Sequence, residues 1–217
     1  MKETPIRAPF EAVDVAPVKL NRRQEAKLRT RQKVLDAARR LFGERGYDAA
    51  TIRDIAREAG MSTGAVFANF TDKIDLFEAV FEEDAESLAE AMREAAAAPG
   101  EVSARLTALF GAGYERSFAN LPMVRAVVVR SWLQSGEEEG RMRAQNRGLL
   151  AIVADVIRDG VRAGELKADL DVRLAAETLW DAYLRNYRKA LFEGADLTAL
   201  KARLAAQVAL LLDGARA

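Results

Sequence analysis

The sequence predicts an all-α protein, and three observations support this fold class. Alanine, leucine, arginine and glutamate, which are all good helix formers, dominate the chain. Pro5, Pro9 and Pro17 lie in its first stretch and only Pro99 and Pro122 follow, so most of the sequence is free to be helical. Apolar residues recur at intervals of three and four along both the first and the last long segment. A chain of 217 residues, 50% of them hydrophobic, can form one large or two small domains, each with a core.

Composition excludes several kinds of chemistry. The chain contains no cysteine and no histidine, which rules out disulfides, thiolate chemistry, histidine-ligated metal and Ser/His or Cys/His catalytic pairs. An enzyme would have to use carboxylates or lysines, with Asp181 or Lys189 as candidates, but no Gly-rich phosphate loop accompanies them. The acids from Glu137 to Glu139 suit the start of a helix better than paired-carboxylate catalysis. We therefore expect no enzymatic activity, no cofactor and no metal site.

Membrane insertion is not expected. The apolar run from Leu204 to Leu212 is far shorter than the roughly 20 residues that cross a bilayer. The first residues lack the apolar core of a signal peptide. We therefore expect a cytoplasmic protein without membrane contact.

A net charge of zero, from 33 basic and 33 acidic residues, conceals an uneven distribution. From Lys19 to Arg40, nine lysines and arginines stand against only Glu25 and Asp36, whereas six acidic residues lie between Glu82 and Glu94. A basic N-terminal region on an acidic remainder is typical of a protein that binds nucleic acid.

We predict a disordered tail for residues 1–21, because they carry three prolines, mixed charges and no periodicity. The alternative is an arm that follows the phosphate backbone or enters the minor groove. The first helix is predicted from about Arg22 to Arg45, with a stop at Gly46. Its apolar face can cover the two short helices that follow, which alone bury too little surface to be stable.

The segment from Thr51 to Lys73 predicts two short helices joined by a tight turn. Thr51 can cap the first helix through its side-chain oxygen. Gly60 ends that helix, because a residue without Cβ adopts the left-handed conformation at little cost. Ser62 then caps a second helix over Thr63 to Phe70.

This segment also contains a predicted packing unit. Val66 is expected to face inward, and Ala56 is small enough to let the two helices cross closely. The spacing of Ala56, Gly60 and Val66, followed by Lys73 and Leu76, resembles the helix-turn-helix of TetR-family transcriptional regulators.

The resemblance extends from about Val34 to Phe81 and implies the remaining architecture. It implies an N-terminal three-helix domain with a helix-turn-helix over residues 22–71, and a C-terminal effector-binding and dimerisation domain of about six helices over residues 72–217. Phe67 stands where the family usually has a tyrosine, and its ring can pack against a sugar or a thymine methyl. The implied partner is double-stranded DNA, contacted at base edges by Arg53, Thr63, Ala65 and Asn69 and at the backbone by Thr51, Ser62, Phe67 and Lys73.

Six more helices are predicted after the helix-turn-helix. Thr71 is expected to cap the first of them, which runs from Asp72 towards Ala97 before a break at Pro99. Lys73 in its first turn is unfavourable for the helix dipole, and a bound phosphate would offset this. The others are predicted at about Val102–Phe118, Pro122–Gln134, Glu137–Ala163, Val172–Phe192 and Leu197–Leu212.

The final helix carries an apolar seam at coiled-coil-like spacing, formed by Leu197, Leu200, Leu204, Val208 and Leu211. The seam either packs on its own domain or joins the preceding helix across a two-fold axis in a four-helix bundle. The resemblance implies the second, a homodimer through the last two helices. Two recognition helices about 34 Å apart would then contact a palindromic operator.

The C-terminal part is rich in aromatic side chains and methionines, which more often form ordinary core. TetR-like regulators bind a small apolar or aromatic effector between helices, so the resemblance implies a cavity here. The candidate lining residues are Phe110, Tyr114, Phe118, Trp132, Met142, Trp180 and Tyr183. Effector binding would swing the helix that begins at Asp72 and release a repressor from DNA. The alternative is a DNA-binding regulator or architectural protein without a small-molecule ligand, controlled by a protein partner.

Overall fold

A computed structural model describes residues 21–133 and 139–216, and the side chains of residues 21–128 and 146–216. Across these residues the chain forms nine helices and an isolated antiparallel bridge between Leu166 and Arg216, which confirms the all-α fold class. No helix in the described part is long and apolar enough to span a membrane. The predicted tail lies outside the described residues, apart from Asn21. The helices are α1 (Arg22–Ala49), α2 (Ile52–Glu58), α3 (Thr63–Phe67), α4 (Lys73–Ala96), α5 (Val102–Phe118), α6 (Leu121–Leu133), α7 (Glu139–Arg162), α8 (Val172–Glu193) and α9 (Leu197–Ala215).

The first helix begins and breaks at residues with clear physical roles. Asn21 and Gln24 form a capping box, in which each side chain accepts the other residue's backbone N–H, at 2.9 and 2.8 Å. Gly46, with φ of 81°, breaks the helix where the sequence predicted a stop. The Ala50 N–H then bonds to the Gly46 carbonyl at 3.4 Å and turns the chain into α2.

Two local predictions were wrong. The second helix of the helix-turn-helix ends at Phe67 instead of Phe70, because the N–H groups of Asn69 and Phe70 both bond to the Val66 carbonyl and close a turn. The cap of α4 is Asp72 instead of Thr71. The Asp72 carboxylate accepts the Asp75 N–H at 2.8 Å, whereas Thr71 donates its N–H to the Asp75 carboxylate at 2.9 Å.

Two hydrophobic cores divide the described residues, and α4 belongs to both. The N-terminal core joins α1, α2 and α3 to the first half of α4, including Leu76, Phe77 and Val80, and to Met123 of α6. The second core joins the last turns of α4, including Met92, to α5, α7, α8 and α9. We call α1 to α3 the helix-turn-helix domain and α4 to α9 the C-terminal bundle. A displacement of α4 would therefore change side-chain contacts in both cores.

The apolar seam of α9 packs within its own chain. Leu200, Leu204 and Val208 are at most 1% exposed, and α9 packs on α5 and α8. Of the two uses that the sequence left open for the seam, the structure shows packing on its own domain. Any dimer through the last two helices must therefore use their other faces.

Candidate DNA-binding surface and ligand cavity

The helix-turn-helix is built from the local signals that the sequence predicted. The Thr51 hydroxyl caps α2: it accepts the Asp54 N–H at 3.1 Å and donates to the Asp54 carboxylate at 2.6 Å. Gly60 has φ of 68°, so it turns the chain in the left-handed region. The Ser62 hydroxyl caps α3 by accepting the Ala65 N–H at 3.2 Å. These three residues fix the direction in which α3 leaves the turn.

The inner face of the helix-turn-helix is closely packed. Ala56 is 2% exposed and Val66 is 0% exposed, and both belong to the N-terminal core. The Met61 N–H bonds to the Ala56 carbonyl at 2.8 Å, which closes the turn against α2. The predicted packing of these side chains is confirmed, and it leaves the opposite face of α3 towards solvent.

The predicted DNA-contacting residues fall into two groups by exposure. Phe67, a large apolar side chain, is 55% exposed on α3. Among the described residues, the Arg53 guanidinium has no hydrogen-bond or ion-pair partner, so it is available to a base edge or phosphate. The exposed group is Thr51, Arg53, Ser62, Thr63 and Phe67, and the half-buried group is Ala65, Asn69 and Lys73. The contacts of both groups with DNA stay predictions.

Asn69 is held against its own helix. Its side-chain amide donates to the Ala65 carbonyl at 2.9 Å. Its backbone carbonyl accepts the Arg31 guanidinium at 3.2 Å, and the same guanidinium lies 4.3 Å from the centre of the Phe70 ring. The Asn69 Oδ1 is buried without a hydrogen-bond partner among the described residues, and the amide keeps a second N–H for a base contact.

Lys73 links the start of α4 to the end of α1. Its ammonium donates to the backbone carbonyls of Ala50 at 2.9 Å and Asp48 at 3.3 Å, and it lies 4.3 Å from the centre of the Tyr47 ring. The sequence contained no signal for this link, because the residues are more than twenty positions apart. A phosphate would have to share the ammonium with these carbonyls.

A cavity of about 350 Å³ opens between α4, α5, α6, α7 and α8 and reaches Arg39 of α1. This volume is within the range of small-molecule sites in proteins. Its apolar wall is formed by Phe81, Ala85, Leu88, Met123, Val124, Val127, Val128, Leu149, Trp180 and Leu184. Its polar wall is formed by Arg39, Glu83, Asp84, Arg116, Ser117, Asn120, Asn146, Tyr183 and Tyr187.

One side of the cavity is an ion-pair cluster between the helix-turn-helix domain and α4. The Arg39 guanidinium donates to Glu83 at 2.7 Å, to Asp84 at 2.9 Å and to Asp36 at 3.1 Å. Burial raises the pKa of Asp84, against the opposing effect of the Arg39 charge. We call Arg39, Asp36, Glu83 and Asp84 the ion-pair cluster.

Another part of the wall, formed by Tyr183 and Tyr187, is aromatic and neutral, and Tyr114 packs behind it. The hydroxyls of Tyr183 and Tyr187 are 2.6 Å apart, and the Tyr114 hydroxyl donates to the Tyr183 backbone carbonyl at 3.1 Å. Burial raises the pKa of all three tyrosines, so they are uncharged at neutral pH.

The structure brings some of the predicted effector residues to the cavity and places others behind it. Trp180 and Tyr183 line the cavity. Phe110 and Tyr114 are 0% exposed in the second core, with ring centres 5.2 and 4.6 Å from that of Tyr183, and Phe118 is half-buried against the same core. The side chains of Trp132 and Met142 lie outside the described residues. Sequence reasoning missed the ion-pair cluster, since nothing in the basic run of α1 distinguishes Arg39 from its neighbours.

These features define a helix-turn-helix protein with a helical bundle that contains a ligand-sized cavity. The model of the family described as bacterial regulatory proteins, tetR family, matches residues 34–80. The HTH-type transcriptional repressor Rv1474c of Mycobacterium tuberculosis is 36% identical over 154 residues, which cover 66% of this chain and 78% of that protein. The chain belongs to the TetR family. It is a DNA-binding transcriptional regulator, and it is not an enzyme.

Two further comparisons concern the C-terminal bundle. The fatty acid metabolism regulator protein of Bacillus subtilis is 26% identical over 149 residues, covering 68% of this chain and 76% of that protein. The crystal structure of the regulator FadR from Bacillus subtilis in complex with stearoyl-CoA superposes with a TM-score of 0.76 at 22% identity, covering 84% of this chain and 98% of that one. At this identity the structural likeness shows the fold of the bundle, and stearoyl-CoA is a ligand of that protein.

Proposed function

We propose that the protein is a homodimeric repressor that a small apolar effector, bound in the cavity, releases from a palindromic operator in the cytoplasm. The observation that carries the proposal is the composition of the cavity wall. Arg39 of the helix-turn-helix domain lines the same cavity as Trp180 and Tyr183 of the C-terminal bundle. An effector would therefore contact the connection between the two parts directly.

The ion-pair cluster supplies the coupling. Arg39 holds α1 to α4 through Glu83 and Asp84, and both carboxylates line the cavity. A ligand that moves either carboxylate changes how α4 is held against α1, and hence the separation of two recognition helices in a dimer. A coupling free energy of about 1 to 3 kcal/mol is enough for a useful switch.

The cavity favours an effector with a substantial apolar part. Ten of the residues in its wall have apolar side chains. The cavity volume of about 350 Å³ corresponds to about a dozen water molecules at ~30 Å³ each. The stearoyl-CoA complex of FadR supports the same class of ligand, because its acyl chain is apolar. We propose that the effector carries an acyl chain or a similar hydrophobic group.

The proposed DNA contacts follow the exposed face of the helix-turn-helix. Arg53, without a partner in the described part of the chain, is proposed to contact a guanine, with Thr63 and Ala65 beside it on α3. The exposed Phe67 ring is proposed to pack against a sugar or a thymine methyl.

The proposed dimer uses the outward faces of α8 and α9. Leu174, Phe192 and Leu210 are 60%, 61% and 77% exposed there, while the inward seam is already buried. Large apolar side chains exposed on these two helices are candidates for an association surface. We expect Leu210→Glu to shift the protein towards monomer in sedimentation, with Leu28→Glu, on α1 and 51% exposed, as the control.

The experiment that tests the proposal measures operator affinity with and without effector. Fluorescence anisotropy on DNA from upstream of the protein's own coding sequence would be repeated with acyl-CoA thioesters and other hydrophobic compounds. We expect tight, symmetric binding that at least one compound weakens by about tenfold or more, as a coupling above 1.4 kcal/mol requires. An operator affinity that is identical with every compound that occupies the cavity would contradict the proposed effector and favour control by a protein partner.

A further inference from the structure

The cavity wall contains a pair of tyrosine hydroxyls that the release mechanism does not use. Tyr183 and Tyr187 lie one turn apart on α8, both line the cavity, and their oxygens are 2.6 Å apart. The two residues are only 1% and 2% exposed. Ser117 of α5 also lines the cavity. We call Tyr183 and Tyr187 the tyrosine pair.

The position of the tyrosine pair is fixed by its surroundings. The Tyr183 ring packs against Tyr114 and Trp180, with ring centres 4.6 and 5.2 Å away. A Cβ atom on Gly113 would lie 2.8 Å from the Tyr183 hydroxyl, so only glycine allows this approach of α5. Side chains held in this way lose little further entropy when a ligand binds.

The hydrogen-bonding capacity of the pair suits a neutral acceptor. Each tyrosine hydroxyl brings one proton, and the bond between the two uses only one of them. Because burial raises the pKa of both, they remain proton donors at neutral pH. An oxygen with free lone pairs can accept the remaining proton without any group becoming charged.

The same wall is a poor place for a carboxylate. Within the described residues, the cations that line the cavity are Arg39, which donates to three carboxylates, and Arg116, which acts on Asp84 and donates to Ser87 at 2.7 Å. Neither guanidinium hydrogen-bonds to the tyrosine pair, so a carboxylate placed against Tyr183 and Tyr187 would need Arg116 to turn towards it, or would be buried without a counter-ion from the described residues, which is unfavourable.

We infer that the cavity selects apolar molecules that present an uncharged carbonyl oxygen, as in a ketone, ester or thioester, to the hydroxyls of Tyr183 and Tyr187. The inference rests on the proposed function, since it names what the effector must carry. It also makes Tyr183 and Tyr187 specificity-determining residues, which separate a neutral carbonyl compound from the free acid of the same chain length.

The test compares matched probes and matched variants by isothermal titration calorimetry on the full chain. Methyl octyl ketone and decanoate have similar apolar chains and differ in charge at the polar end. We expect the ketone to bind the native protein more tightly, and Tyr183→Phe and Tyr187→Phe each to weaken it by about three- to tenfold, the effect of one hydrogen bond. Tyr114→Phe is the control, because its hydroxyl bonds to a backbone carbonyl and is absent from the described wall.

A steric pair of variants tests the same site without removing a hydroxyl. Gly113→Ala would push the Tyr183 hydroxyl from its position, whereas Gly111→Ala, on the same helix, meets only the Lys201 side chain at 3.6 Å. We expect the first to weaken ketone binding and the second to leave it unchanged.

Two outcomes would overturn the inference. Ketone binding that is unchanged in the double variant of Tyr183→Phe and Tyr187→Phe, or tighter binding of decanoate than of the ketone, would show that the pair does not select the ligand. Neither outcome affects the proposed function, which needs only that some compound bound in the cavity weakens operator binding. If no probe binds and no compound changes operator affinity, both proposals fail together.

Discussion

The helix-turn-helix surface and the ligand cavity arrange their polar side chains in opposite ways. On α2 and α3 the polar groups face solvent, and the hydrogen bonds of Thr51, Ser62 and the Asn69 amide join residues three or four positions apart, although Glu58 also bonds to Arg40 of α1. At the cavity, Arg39 bonds to Asp84, 45 residues away, and behind its wall Tyr114 bonds to Tyr183, 69 residues away. A change on the first surface can therefore alter DNA affinity alone, whereas a change in the cavity alters ligand binding and folding together.

The largest difference in stability is expected between substitutions of two phenylalanines, one buried in the N-terminal core and one exposed on α3. Phe77 is 0% exposed and its ring centre lies 5.3 Å from that of Phe42, whereas Phe67 is 55% exposed. Phe77→Ala should lower the free energy of unfolding by about 3 to 5 kcal/mol, because it leaves a cavity in the N-terminal core. Phe67→Ala should change it by less than about 0.5 kcal/mol and weaken operator binding instead. Urea unfolding and anisotropy measure the two effects, and similar losses of stability in both variants would contradict the comparison.

A smaller difference, in operator affinity and its salt dependence, is expected between substitutions of two cations of the candidate DNA-binding surface. Arg53→Ala should cost about 1 to 3 kcal/mol of operator binding and relax specificity at one base pair, because the proposed bidentate base contact would be lost. Lys73→Ala should weaken all sequences alike and lower the salt slope by about 0.9, if Lys73 neutralises one phosphate. Anisotropy over a range of salt concentrations and operator variants separates them.

The bonds from Lys73 to the end of α1 predict a second effect of the Lys73→Ala substitution, on stability. Its ammonium bonds to the carbonyls of Ala50 and Asp48, so the substitution also removes a connection between α4 and α1. An unchanged salt slope with a lower free energy of unfolding would make Lys73 a structural residue, and the predicted phosphate contact would be wrong.

The sequence predicted the helix-turn-helix well because its signals are local. Thr51, Gly60 and Ser62 act on backbone groups within three or four residues, so their roles can be read without knowing the fold. Local signals did not predict the right cap where two neighbouring residues could both cap the helix. Thr71 and Asp72 are both good caps, and only the backbone direction decides that Asp72 caps α4.

The cavity could be predicted only in part. Aromatic side chains indicated a ligand site on α8, where Trp180 and Tyr183 lie, but the same signal selected Phe110 and Tyr114, which are packed in the core. The ion-pair cluster depends on how α1 crosses α4. No periodicity in the sequence distinguishes Arg39 from Arg40, although one lines the cavity and the other is exposed.

That neighbouring pair provides the next prediction. The Arg39 side chain is 24% exposed and pairs with three carboxylates, whereas that of Arg40 is 57% exposed and pairs, among the described residues, only with Glu58. Arg39→Gln should cost about 1 to 3 kcal/mol of stability, between the values for buried and exposed pairs, and Arg40→Gln less than about 1 kcal/mol. The ratio of operator affinities with and without effector should fall towards one in Arg39→Gln and stay unchanged in Arg40→Gln. Equal ratios in both variants would mean that coupling follows another route.

The smallest expected effect is a pH dependence at Asp84, and its sign tests which force dominates the ion-pair cluster. Burial raises the pKa of Asp84 in the folded state despite the opposing charge of Arg39. A carboxyl group with a raised folded pKa favours folding fully below its unfolded value, about 3.9, and this contribution is lost as the pH rises through the folded value. Asp84→Asn lacks the ionisation, so its stability relative to the native protein should increase with pH across that window, as urea unfolding at several pH values would show. A relative stability that decreases with pH would mean that the Arg39 charge outweighs burial, and the cluster would then hold α1 to α4 mainly by ion pairing.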